Sequence, residues 1–270
     1  MKHIIAGVST VAMTATLLSA ASPPAHAAAA ADPVKALQRQ MVGGKGVRFT
    51  DVTSYVAFDG KTPYLRRTGT LQFGRTGIVA SDITAKPLEA PDVPGGLTAL
   101  AEPERTITVG RKSYNTAAPI YGDLPKGKTW FIPRKTVTNG MSGRYGQLVN
   151  PAEPATLKAL ISGGRRAGLT YSGHITLARL WKISPWYRTT VLVEEKGDDA
   201  LEYKLTLGSG GLPDRLVTSY PATAFLVPAV AGEDSIAVET RYTGWGSRVR
   251  ITPPPAANVY IAPSRGDHRK

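Results

Sequence analysis

Residues 236–259 read Ile-Ala-Val-Glu-Thr-Arg-Tyr-Thr-Gly-Trp-Gly-Ser-Arg-Val-Arg-Ile-Thr-Pro-Pro-Pro-Ala-Ala-Asn-Val. From Ile236 to Tyr242 every second side chain falls on one face and the intervening residues fall on the other. That period of two is typical of a half-buried antiparallel strand. Gly-Trp-Gly at 244–246 then predicts a tight turn, and the alternation over 248–251 predicts a short second strand before a proline stop.

The same alternation recurs along most of the chain. Asp59-Gly60 predicts the turn of a β-hairpin, and 208–211 (Gly-Ser-Gly-Gly) predicts another. Further strands are predicted at residues 47–58, 64–73, 77–85, 105–109, 112–116, 128–132, 171–177, 187–194, 201–207 and 212–220. Because alternating strands far outnumber helices, the sequence predicts an α+β fold with an antiparallel sheet covered on one face by helices.

Two helices are predicted to supply that cover. Asp32-Pro33 provides an N-cap and a first-turn proline, and Gly43-Gly44 ends the first helix. The second helix is predicted over 150–162 with Asn150 as its cap. Pro154 allows a start three residues later, so both starts stay open.

The chain begins with a predicted secretory signal peptide, residues 1–27. A short basic segment precedes an uncharged apolar run, and Ala25-His26-Ala27 is a small-x-small cleavage site. A membrane anchor is the alternative, although five Ser and Thr residues dilute the run. We therefore expect one domain over 28–255, a flexible tail over 256–270, and a secreted, soluble protein at the extracellular face of the cell envelope.

Composition excludes several chemistries. The chain has no cysteine, which rules out disulfides, thiol catalysis and a lipid anchor on cysteine. The net charge is +13. Outside the cell, such an excess favours an anionic membrane surface or a wall polymer over nucleic acid, and solvation of strand faces by arginine explains it equally well.

No motif supports catalysis or a cofactor. Residues 122–129 match the phosphate-loop pattern, but a strand and a proline follow where a helix is required, so no nucleotide is expected. His174 is the single histidine between the predicted signal peptide and the tail, which excludes a two-histidine metal site. The acidic pairs Glu194-Glu195 and Asp198-Asp199 are predicted to be solvated. We expect no enzyme activity, no metal and no cofactor.

The order of several short motifs resembles the LolA-like envelope lipoprotein carriers, in the branch of the LppX and LprG types. These motifs are Leu-Pro-Lys-Gly-Lys-Thr-Trp at 124–130, the Asn-Pro helix, Gly-Leu-Pro-Asp-Arg at 211–215 and the Tyr-Thr-Gly-Trp-Gly ending at 242–246. The resemblance implies a strongly curved antiparallel sheet, a half-barrel, with helices over its concave face and an apolar cavity between them. The missing cysteine departs from the lipidated members.

That resemblance implies a lipid or lipid-like amphiphile as partner. A single acyl chain of about sixteen carbons gives roughly 13 kcal/mol on burial, against an association cost of about 4–15 kcal/mol, so one chain is marginal and two would bind well. A cavity near the upper end of roughly 300–1,000 Å³, or beyond it, is therefore expected. Strand parity selects the apolar residues that are candidates for lining it. These are Phe49, Leu71, Phe73, Tyr203, Leu205, Leu207, Leu216 and Val238.

Two other interpretations stay open. Related folds serve as envelope-stress sensors that hold a partner protein, and a soluble basic protein suits that role. A basic wall-associated protein without a ligand is the third possibility, and its retention would be screened by salt.

Overall fold

A computed structural model of the chain describes residues 32–88, 103–116, 124–133, 137–191, 199–222 and 235–261. The predicted signal peptide lies outside these ranges. Four α-helices are described: α1 Pro33–Gln38, α2 Pro154–Gly163, α3 Leu177–Ile183 and α4 Pro185–Val191. Short 3-10 turns cover Met141–Tyr145 and Ala256–Asn258. No helix of the described residues is both long and apolar enough to cross a membrane.

Twelve strands form one sheet. They are β1 Lys45–Ala57, β2 Gly60–Phe73, β3 Ile78–Pro87, β4 Glu104–Val109, β5 Lys112–Thr116, β6 Trp130–Ile132, β7 Arg165–Ala167, β8 Thr170–Thr176, β9 Ala200–Leu207, β10 Pro213–Pro221, β11 Ser235–Arg248 and β12 Val259–Ile261. Their order is β12-β6-β5-β4-β3-β2-β1-β11-β10-β9-β8-β7, and within the described residues the two end strands do not meet. The fold is therefore α+β with an open sheet.

The sheet is mixed, which corrects the antiparallel prediction at one edge. Along the sheet order, every neighbouring pair from β6 at one end to β7 at the other is antiparallel. The exception is β12, which runs parallel to β6 through the pairs Val259–Trp130 and Ile261–Ile132. The backbone N–H of Thr129 donates to the Asn258 carbonyl at 3.0 Å, which holds the approach to β12. The predicted flexible tail 256–270 thus begins with a 3-10 turn and a paired strand, and residues 262–270 lie outside the described part.

Strand β11 is continuous where a turn was predicted. Gly244 and Gly246 have φ values of 66° and 74°, and the register to β1 shifts between Gly46 and Arg48. Glycine adopts this left-handed backbone without a steric penalty, so the two glycines form an irregularity inside one strand and not a reversal. The Trp245 ring consequently stacks on Phe73, with ring centroids 6.0 Å apart.

The helices differ from prediction in three respects: α1 ends at Gln38 and not at Gly43-Gly44, α3 was not predicted, and α4 replaces a predicted strand. Helix α1 begins as expected, because Oδ1 of Asp32 accepts from the backbone of Val34 and Lys35. Helix α2 begins at Pro154, so the later of the two starts is right. The strand predicted over 187–194 is wrong for residues 187–191, and residues 192–194 lie outside the described part. Pro185–Val191 instead form α4. Its β-branched run favours a strand locally, but tertiary hydrogen bonds at its first turn decide for a helix.

One hydrophobic core joins the sheet to the helices. Leu157 and Leu160 of α2 pack in the same cluster as Phe49, Leu71 and Leu205. The Tyr203 hydroxyl of β9 donates to the Leu160 carbonyl at 2.7 Å, which ties α2 to the sheet. Helices α2, α3 and α4 therefore all pack on this core.

A buried ion pair lies between β1 and β2. Arg67 Nη2 is 2.6 Å from Asp51 Oδ2, Nε contacts both carboxylate oxygens at 3.1 Å, and both side chains are fully buried. The two residues face each other in the strand register. Gly146 leaves room for the guanidinium, because a β-carbon at that position would overlap it. Burial is the main cause that raises the pKa of nearby Tyr220.

Removing only the charge of Asp51 should be costly. D51N leaves the Arg67 guanidinium buried without its counter-ion, and we expect a loss of about 3–5 kcal/mol in unfolding free energy measured in urea. Replacing both partners by apolar residues (D51L with R67M) should be close to neutral or stabilising.

The matched control is D82N. Arg105 binds Asp82 through the same two nitrogen atoms, Nε at 2.9 Å and Nη2 at 2.7 Å, but its side chain is half exposed. That variant should lose at most about 1 kcal/mol. Equal losses for D51N and D82N would contradict the importance of burial.

Candidate functional site: a cleft between the sheet and the helices

A cleft of about 550 Å³ opens between strands β3 and β4 on one side and helices α2, α3 and α4 on the other. From the sheet it is lined by Ile78, Val79, Ala80, Ser81, Thr108 and Gly110, with Thr76 and Gly77 before β3. From the helical side it is lined by Val137, Asn139, Glu153, Pro154, Ala155, Ile183, Pro185, Trp186 and Thr189. Its volume lies in the middle of the range of roughly 300–1,000 Å³ that is usual for ligand pockets.

The lining is mainly apolar. Val79, Ala155 and Ile183 contribute aliphatic surface, and Val79 remains 42% exposed at the opening. Apolar surface left open to water in a concave site is a typical feature of a ligand-binding pocket. Among the described lining residues Glu153 is the single ionisable side chain.

Glu153 is engaged by the fold itself. Its carboxylate accepts from the hydroxyls of Ser184 and Thr156 and, at 2.7 Å, from the backbone N–H of Trp186. Burial raises the pKa of Glu153, and these three hydrogen bonds oppose that rise. The carboxylate therefore connects the first turn of α2 to the junction of α3 and α4, and both of its oxygens accept hydrogen bonds.

Trp186 forms the inner wall of the cleft. It is 7% exposed, its Nε1 donates to the Gln147 carbonyl at 2.8 Å, and its ring meets Phe49 edge to face with centroids 6.2 Å apart. Its backbone carbonyl accepts from the hydroxyls of Thr189 and Thr190 at 2.9 and 2.8 Å. Both the backbone and the indole of Trp186 are thus fixed.

A second, much smaller cavity lies in the core and shares Trp186 with the cleft. Its volume is about 10 Å³, close to the minimum that holds one water molecule. It is lined by Phe49, Leu71, Gln147, Asn150, Trp186, Thr240 and Tyr242. The buried Nδ2 of Asn150 has no hydrogen-bond partner.

The eight residues that strand parity selected are all buried in one core. Their exposed fractions range from 0% to 4%. Phe49 and Leu71 line the small inner cavity, and none of the eight belongs to the described lining of the larger cleft. Contact between these residues and a ligand stays a prediction.

Sequence reasoning missed the residues that line the cleft. Neither Trp186 nor Glu153 is among the candidate residues that the sequence selects. A signal was present in Glu153-Pro154, because an acidic side chain directly before a helix-starting proline is placed at the N-cap. Arg67 has the parity of Leu65 and Leu71, which indicated a buried arginine.

The opposite face of the sheet is polar and basic. A shallow depression of about 340 Å³ there is lined mainly by Thr and Arg. Thr50, Thr68 and Thr84 lie in one cross-strand row that ends at Arg105. Arg48 and Arg66, on the same face, are exposed.

Comparison with known proteins gives a structural likeness only. No protein-family model and no curated protein matches the sequence. Among solved structures, the chain is similar to a LolA superfamily protein from Nitrosomonas europaea, at 9% identity over 83% of this chain and 94% of that one, with a TM-score of 0.31. A DUF1329 family protein from Desulfovibrio piger is similar at 10% identity over 78% and 92%, with a TM-score of 0.28.

The LolA-like resemblance of the motifs stays a prediction.

Truncating Glu153 should destabilise the helical side of the cleft. E153A leaves three buried donors without an acceptor, and we expect a loss of about 3 kcal/mol or more in unfolding free energy. Because the pKa of Glu153 is raised, its titration stabilises the wild type below the ordinary carboxyl value of 4.5, and this contribution declines as pH rises through the folded-state pKa.

Urea unfolding at pH values below and above 4.5 measures the loss in unfolding free energy of E153A and its dependence on pH. E202A is the control, because the Glu202 side chain is 72% exposed and contacts only His174 at 3.4 Å. Equal stability of E153A and E202A would contradict the role assigned to Glu153.

Proposed function

We propose that this protein is an exported, non-catalytic protein of the cell envelope that binds the hydrocarbon chain of a lipid-like amphiphile in the cleft. In this proposal the helices cover the concave face of a curved sheet, residues 1–27 are removed on export, and no lipid is attached through cysteine. The observation that carries the proposal is an open, mainly apolar cleft of about 550 Å³ between sheet and helices.

The size of the cleft supports one chain and not two. Each buried methylene contributes about 0.8 kcal/mol, and association costs about 4–15 kcal/mol. A cavity in the middle of the usual range is smaller than the sequence led us to expect, and a single chain leaves only a small surplus. Such modest, reversible affinity suits a protein that takes up a lipid and releases it.

The chemistry of the lining supports binding without catalysis. Proton transfer or nucleophilic attack needs an available acid, base or nucleophile within hydrogen-bond distance of the reacting atom. Glu153, the one ionisable side chain of the described lining, already accepts three hydrogen bonds from the protein. The described cleft therefore offers mainly apolar surface, and its one ionisable side chain is engaged by the protein.

A charge placed at the opening of the cleft should weaken binding of a fluorescent fatty acid. V79E introduces a carboxylate beside the hydrocarbon, and we expect affinity to fall about tenfold or more because the charge loses hydration when the ligand enters. V42E is the matched control: Val42 is 44% exposed, like Val79, and is not among the described cleft residues.

Fluorescence titration decides between the outcomes. Equal affinity of V79E and wild type would exclude this cleft. Protein that carries no lipid from its native host and takes up no probe after delipidation would exclude the function as a whole.

A second candidate function is attachment to an anionic surface, and the basic sheet face favours it. Arg48 and Arg66 are exposed there, and each basic residue near an anionic membrane contributes about 1 kcal/mol. Both functions are compatible, because the cleft and this face lie on opposite sides of the sheet. A role as an envelope-stress sensor with a protein partner stays a prediction.

Vesicles of anionic phospholipid test this attachment. R48Q with R66Q should bind roughly thirtyfold more weakly at low salt, and wild-type binding should disappear as salt is raised. R165Q with R166Q removes the same charge from β7, where both arginines are exposed, and should have less effect. Sedimentation measures binding, and equal losses in the two double variants would contradict a site on this face.

A further inference from the structure

We propose that Trp186 determines the chain length that the cleft accepts. This inference rests on the proposed function. Trp186 is the one described residue that lines both the cleft and the inner cavity behind it. In this proposal its indole forms the wall between the cleft, of about 550 Å³, and the inner cavity, of about 10 Å³.

The wall is held from two sides. The indole N–H donates to the Gln147 carbonyl at 2.8 Å, and the ring edge packs against Phe49. The backbone N–H of the same residue donates to Glu153. A hydrocarbon that enters from the Val79 side meets a fixed aromatic ring, and it stops there.

The space behind the wall changes character once the indole is gone. At present it is too small for more than one water molecule, and the unpartnered Nδ2 of Asn150 gives that water a donor. Replacing the indole by a methyl group adds the volume of the ring to this cavity and joins it to the cleft. The enlarged pocket is bounded by Phe49 and Leu71, which strand parity selected as ligand contacts.

A homologous series of saturated fatty acids tests the inference. For wild type, affinity should rise about fourfold with each methylene and then level off at the length where the chain reaches the indole. For W186A, the fourfold increments should continue through several further methylenes before they level off. The total gain for the longest chains should be about tenfold or more over wild type.

W181A is the matched control. Trp181 also loses an indole, it packs edge to face on Tyr187 with centroids 6.4 Å apart, and it is not among the described residues that line either cavity. Its truncation should leave the limiting chain length unchanged. W186F keeps an aromatic ring of smaller size and should extend the limit by less than W186A.

The outcomes separate the two proposals. No binding of any fatty acid by folded wild type would overturn the proposed function. If wild type, W186A and W181A all bind fatty acids and their affinities level off at the same chain length, the role of Trp186 is overturned and the proposed function is not. If W186A fails to fold in a thermal melt, W186F decides, and an unchanged limit in that variant overturns the inference.

Discussion

The carboxylate of Glu153 is the contact on which the helical side of the cleft depends. It lies where α2 begins and where α3 passes into α4, and it accepts hydrogen bonds from Thr156, Ser184 and Trp186. Burying a carboxylate is unfavourable, as the raised pKa of Glu153 indicates. Three donors, from α2, from α4 and from the junction between α3 and α4, offset that cost. They fix the backbone from which the Trp186 indole projects against Phe49.

The sheet is specified by a different polar contact. Asp51 and Arg67 are paired in the register of β1 and β2 and are fully buried among apolar side chains. A register shift of one residue would turn the apolar residues of a strand to the outer face and would separate the two charges. Because a buried pair adds little net stability over apolar residues, its effect is to disfavour the wrong pairing.

The two faces of the sheet have opposite chemistry, and each supports a different interaction. The face that carries the core residues is apolar, and the cleft remains open beside β3 and β4. The outer face carries Arg48 and Thr50 on β1 and Arg66, Thr68 and Thr70 on β2. In the proposed functions, the cleft beside the first face takes a lipid chain and the second face contacts an anionic surface.

The sequence by itself determined which side chains face the core. Strand parity placed Phe49, Leu205, Val238 and the other five candidates on the buried face, and the hairpin at Asp59-Gly60 followed from turn residues. Both signals depend on neighbours a few positions apart, which the chain itself specifies.

Tertiary structure decided α4, the parallel edge strand β12 and the cleft. The wall of the cleft combines residues near positions 78, 108, 153 and 186, which are far apart in sequence and meet only through strand order and helix packing. Parity assigns a side chain to a face, but it does not show which element covers that face. For this reason the sequence predicted a buried apolar surface, whereas only the three-dimensional packing decided where that surface stays open.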